Sequence, residues 1–103
     1  MKNEFKIRAT QNAVAIAGPL TIQTVTVALE SIRSQLDRRG ELGLDLAGVT
    51  ACDTAGVQLL LAARRAAAVA GKRFSVCAIA PAITAAGRAV GLPLDFLPVT
   101  PTP

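Results

Sequence analysis

Side chains able to do chemistry are few in this chain of 103 residues, which has no His, Trp or Tyr, three Phe and two Cys. Imidazole-based catalysis is therefore excluded, and platforms for stacking single-stranded nucleic acid are not expected. What remains gathers at Asp53-Thr54-Ala55-Gly56, a carboxylate, a hydroxyl and two small residues in succession. At the start of a helix such a tetrad has two uses. One of its oxygens can accept a backbone N–H bond as a cap, worth about 1 kcal/mol, or the hydroxyl can be displayed outward beside unpaired N–H groups. Either Asp53 or Thr54 could be the cap. Asp45 is a second carboxylate, expected to face the same end of the molecule. Two carboxylates without a nucleophile and its base do not make a hydrolase. There is also no Gly-x-x-x-x-Gly-Lys loop and no spacing of metal ligands. The sequence is that of a non-enzyme with no expected cofactor or metal.

The elements around the tetrad follow from periodicity. Leu42, Leu44 and Leu46 alternate as in a strand, whereas Val57, Leu60 and Leu61 have helical spacing, so the period changes across the tetrad. The helix is expected over about Ala55–Ala70, with Ala68 also inward, Gln58, Arg64 and Arg65 outward, and Gly71 as its stop. Upstream, Phe5–Ala9 alternates apolar with Lys6 and Arg8, Gln11-Asn12 supplies a turn, and Val14 to Gly18 returns as the second strand of a hairpin. Gly18-Pro19-Leu20-Thr21 is expected to break that strand. A helix from Thr21 to about Arg39 then carries Ile22, Val25, Leu29, Ile32 and Leu36 on one stripe. Beyond Gly71, Phe74–Ile79 is apolar on both faces, as for a strand inside a covered sheet. Pro81 opens a third helix of about Ala82–Val90, with Ile83 and Val90 inward and Gly91 ending it. Leu92–Leu97 should pack a last short element on the core, and the proline-rich residues 98–103 form a loose tail. The order implies two parallel crossovers after a hairpin: an α/β fold in which helices cover a small mixed sheet of about four strands.

Composition sets the outer limits. Length suits one domain, residues 1–97, and 51% hydrophobic against 17% charged residues argues for a compact chain. The net charge of +4 comes from cations spread along the sequence, which reads as a solvated surface, or at Arg64 and Arg65 as a contact for an acidic partner. No apolar run approaches the ~20 residues that span a bilayer. The first residues lack a signal-peptide core, so a cytoplasmic protein is expected. Cys52 and Cys77 form no Cys-x-x-Cys pair and read as reduced thiols in or near strands.

Asp45-Leu-Ala-Gly-Val49 followed by Asp53-Thr-Ala-Gly-Val57 resembles the signature of the STAS family, the sulfate-transporter and anti-sigma-factor-antagonist domain. Gly18-Pro-Leu-Thr21, Ala70-Gly-Lys-Arg73, Ala80-Pro-Ala-Ile83 and Gly91-Leu92 extend the match over Val14–Leu97. The resemblance implies a STAS fold with one sheet face covered, and a regulatory protein that switches partners. Thr54 would accept a phosphoryl group, and Asp53, Thr54, Ala55, Gly56, Gln58 and Arg64 would meet the partner. That partner would be an anti-sigma factor with serine kinase activity or a chemotaxis histidine kinase. In family members the acceptor hydroxyl often directly precedes the glycine, the place held here by Ala55, so Thr54 is the tetrad's sole hydroxyl. The Asp-Thr-Ala-Gly form also resembles the STAS subunit that braces the ATPase of phospholipid-transport ABC systems. Guanine-nucleotide binding, reported for some STAS domains, has no loop in this sequence to carry it beyond the helix start.

Overall fold

The structure is a computed structural model, and the residues it describes are 4–10, 13–38, 40–92 and 97. Strand β1 (Lys6–Ala9) and strand β2 (Val14–Leu20) form an antiparallel pair, with Lys6 opposite Ala17 and Ala9 opposite Val14. Gln11 and Asn12, the expected turn, lie outside the described residues. Helix α1 (Val25–Arg38) leads to β3 (Glu41–Cys52), α2 (Thr54–Val69) to β4 (Arg73–Ile79), and α3 (Pro81–Ala89) follows. Both crossovers join parallel neighbours, β2 with β3 and β3 with β4, in a four-stranded sheet of order β1-β2-β3-β4. The mixed α/β architecture expected from the sequence is therefore the one observed, the hairpin supplying the first two strands.

The helices form one layer. Helix α1 packs on β2 and β3, α2 on β3 and β4, and α3 on β3, while α2 touches both other helices. Under them lies the core, in which Val14, Ile16, Leu20, Ile32, Leu42, Leu44, Leu46, Leu60, Val76 and Ile83 are all but sealed from solvent. The opposite sheet face carries small and charged residues. There, Lys6 and Arg8 on β1, Ala15 and Ala17 on β2, and Asp45 and Ala47 on β3 line an open cleft of about 510 Å³.

This one-sided arrangement corrects the reading of β4. Only its Val76 is fully buried, because β4 is the last strand of the sheet and its outer face has no cover. Asp45 is corrected too. It belongs to the open face in the first half of β3, where its Oδ1 accepts from the Ala47 N–H at 3.1 Å, and not to the end that holds Asp53.

Strand β2 does not break at Gly18-Pro19 but pairs on to Leu20, opposite Cys52. Gly18 permits this with φ +87, a left-handed value at which a side chain would also strike the Glu4 carbonyl. β3 accommodates the irregularity with extra residues, since Ala15 and Ala17 face Asp45 and Gly48, and Gly18 and Pro19 face Val49 and Ala51.

Helix α1 starts later than its apolar spacing suggests, because Thr24 closes the turn before it. The Thr24 hydroxyl accepts from the Thr21 N–H at 2.9 Å and donates to the Pro19 carbonyl at 2.8 Å. Ile22 is thereby turned out of the stripe and is 69% exposed. Ala28 and Gln35 instead join Ile32 and Leu36 in the buried face. On α2 the inward alanines are Ala63 and Ala67, and Ala68 is exposed. Val90 is also exposed, since α3 ends at Ala89 and Gly91 (φ +84) turns the chain away, the Leu92 N–H bonding the Gly87 carbonyl at 2.9 Å. Leu92 packs against the core and Leu97 is buried in it. Residues 93–96 and the tail 98–103 lie outside the described residues.

Candidate functional site

The tetrad sits where β3 ends and α2 begins. Asp53 is the single residue between them, in extended conformation, and it is the cap. Its Oδ1 accepts from the Gly56 N–H at 3.0 Å, and its Oδ2 accepts from the Ile22 N–H, also at 3.0 Å, 31 residues upstream. Its own N–H reaches the Leu20 carbonyl at 3.4 Å. Its side chain thus ties the loop before α1 to the first turn of α2, and its backbone N–H adds the end of β2. Burial by itself would raise the Asp53 pKa, but bonds from the N–H groups of Ile22, Gly56, Ala55 and Asp53 itself outweigh it and hold the carboxyl below the usual 3.8.

With Asp53 as cap, Thr54 is released from that duty. It is the first residue of α2, is exposed, and its hydroxyl bonds to no other described residue. Ala55 is half-buried. Gly56 is buried where α2 presses on the sheet. A methyl there would strike the Leu20 carbonyl and lie 2.8 Å from the Cys52 sulfur.

Gln58 and Arg64 are exposed along α2. Gln58 is one turn beyond Thr54 on the same side. Arg64 is turned about 80° from Thr54, whereas Arg65 returns to within about 20° of it. The sequence names Arg64 and Arg65 together as an outward contact for an acidic partner, and counting residues along the helix puts Arg65, not Arg64, in the row of Thr54.

Chemistry at the site is limited. Burial, with the Asp53 charge adding to it, pushes the Cys52 thiol up to about 11, so it stays protonated and is no nucleophile at neutral pH. Both cysteines are free. Among the described residues no three His, Cys, Asp or Glu gather as metal ligands. No helix there is long and apolar enough to cross a membrane. The arrangement instead offers an outward hydroxyl at the positive end of a helix dipole, on a rigid turn.

Comparison with known proteins agrees with this geometry. No curated protein matches the chain. Among solved structures it is similar to an anti-sigma factor antagonist from Mycobacterium paratuberculosis, with a TM-score of 0.72 at 22% identity, over 96% of this chain and 86% of that one. It is also similar to the anti-sigma factor antagonist SpoIIAA in its unphosphorylated form, with a TM-score of 0.63 at 19% identity, over 86% of this chain and 82% of that one. At these identities the likeness establishes the fold. The family model described as "Mlab, STAS domain" matches residues 4–94, and with the strand order, the helix layer and the Asp53 turn in place, the chain belongs to the STAS-domain family.

Proposed function

We propose that this protein is a non-enzymatic regulator that binds a protein partner through the Asp53–Gly56 turn and the outer side of α2, and is controlled by phosphorylation of Thr54. The partner is a kinase-type signalling protein, either an anti-sigma factor with serine kinase activity or a chemotaxis histidine kinase. The observation that carries this reading is the division of labour at the turn. Asp53 does the capping, so the Thr54 hydroxyl is exposed and bonds to no other described residue. A phosphate there would add about −1.5 to −2 charges beside Asp53 without disturbing the core. The helix N-terminus would tolerate it, but a partner seated on the turn would meet both its bulk and its charge.

The experiment is capture from the source lysate with wild type, Thr54→Ala and Thr54→Glu, with mass spectrometry of the partners and of Thr54 itself. Thr54→Glu is expected to fold normally and release a kinase that wild type retains, and Thr54→Ala to bind and not respond to it. Equal binding by wild type and Thr54→Glu removes the switch.

A second reading is a STAS subunit that braces the ATPase of a phospholipid-transport ABC system, with Thr54 as an unmodified interface residue. It is favoured by the matched family, described as Mlab, and by the tetrad's single hydroxyl. Recovery of an ABC ATPase with Thr54 unmodified would select it.

A further inference from the structure

We infer that the uncovered face of the sheet is a contact between two copies of this chain, stacked face to face about a two-fold axis that runs along β2, with Arg8 of each copy opposite Asp45 of the other. The inference goes beyond the reading of Thr54 and does not depend on it.

Strand register sets out the charges. Arg8 on β1 stands opposite Ala15 on β2, Ala15 opposite Asp45 on β3, and Asp45 opposite Ala78 on β4. A cation and an anion therefore lie in one row, on either side of β2. The next row is Lys6, Ala17 and Gly48. With strands about 4.8 Å apart, the Arg8 and Asp45 backbones are separated by about 10 Å. Arg8, Lys6 and Asp45 make no ion pair among the described residues, and Asp45 has only the Ala47 N–H. Between the two banks the floor is Ala15, Ala17, Ala47 and Gly48, so no side chain there is longer than a methyl group.

This pattern is complementary to itself. A half-turn about an axis along β2 exchanges the banks. Arg8 of one copy then comes over Asp45 of the other, twice, while Lys6 comes over Ala47 and Gly48 and meets no like charge. A half-turn about an axis across the strands would instead lay β1 on β1 and set Lys6 and Arg8 against their own counterparts, which is repulsive. The charges thus select the first arrangement, which is also the aligned packing that twisted sheets favour. Stacked sheets lie about 10 Å apart, a gap that an arginine and an aspartate can bridge together over a floor of small residues. A second copy satisfies both charged banks by symmetry alone.

The four strands present roughly 400 Å² of flat face per copy, at the small end of specific interfaces. The dimer is accordingly weak and assembles at high micromolar concentration. Both helix layers face outward in it, so each copy keeps its Thr54 turn exposed.

The test is sedimentation velocity on the full chain over a concentration series, for wild type, Arg8→Glu, Asp45→Arg, Ala17→Arg and an equimolar mixture of the first two variants, with circular dichroism to check each fold. Wild type is expected to pass from monomer to dimer as concentration rises, and added salt should move the midpoint upward. Arg8→Glu or Asp45→Arg alone sets like charges opposite each other twice, and should raise the midpoint at least about tenfold. In their mixture each substituted side chain faces an unlike charge on the other variant, so mixed dimers should recover the wild-type midpoint. Ala17→Arg leaves the Asp45 bond untouched but brings a long cation against its own copy near the axis, and should also lose the dimer. Wild type that stays monomeric to millimolar concentration overturns the contact and leaves the face to a different protein. A dimer that every variant keeps places the contact elsewhere and overturns it too. A mixture that stays monomeric overturns the pairing of Arg8 with Asp45.

Discussion

Asp53 engages both carboxylate oxygens with backbone N–H groups, and its acidity therefore reports on folding. Because its folded pKa lies below the unfolded value near 3.8, the unfolded chain takes up a proton more readily. Its contribution to stability is full above that value and is lost as pH falls through the lower folded one. Asp53→Ala is expected to lower stability at neutral pH by about 1–2 kcal/mol in urea unfolding, and the gap from wild type should close in acid. A gap independent of pH would mean that the carboxylate is not the stabilising group. Gly56 fails differently when changed, since an added methyl meets the Leu20 carbonyl and the Cys52 sulfur. Gly56→Ala should cost about 1–3 kcal/mol by thermal or urea unfolding, because strand and helix must part to admit it. The sequence shows both residues as members of a polar turn. It does not show what each touches, because Ile22 and Leu20 come from more than thirty positions away.

At the scale of elements, α2 was nearly fully legible: its apolar period, its capping tetrad and Gly71 mark it from start to stop, and it runs Thr54–Val69. Helix α1 was legible only in its later turns. Its apolar spacing runs back to Ile22, but hydrogen bonding by Thr24 and Asp53 outcompetes the helix there. The same helix buries Gln35, 2% exposed, whose Nε2 has no hydrogen-bond partner among the described residues. A buried unsatisfied donor loses its water without replacement. Gln35→Met keeps the length and the helix propensity while removing the polar atoms. It is expected to raise unfolding free energy by about 1 kcal/mol, measured by urea titration. A loss of stability would show that the amide oxygen does more than the nitrogen costs.

Across the whole molecule, helix cover on one sheet face alone explains what the sequence blurred. Alternation was clear in β1 and β2, where apolar residues meet helices and Lys6, Arg8, Ala15 and Ala17 face the cleft. In β4 it was not, because past Arg73 its outer-face residues are small rather than charged, and even its inward Phe74 and Ile79 are only half-buried. Asp45 was placed with Asp53 because chain proximity suggested a shared end. A strand of twelve residues carries them apart, one onto the sheet face and the other to its tip. The order from β1 to α3, by contrast, was readable, since a turn or a change of period marks each element.

Gly18 and Gly56 brace the two strand ends that meet at the turn, one by a left-handed backbone and the other by close approach to Leu20. Their consequence is a pattern of tolerated variation. In a random library selected for folding alone and then sequenced, glycine should be retained at both positions, while position 54 drifts freely among residues that suit a helix start. Selection for a working partner should fix the hydroxyl as well. The difference between the two selections would separate what the architecture demands at this turn from what its use demands.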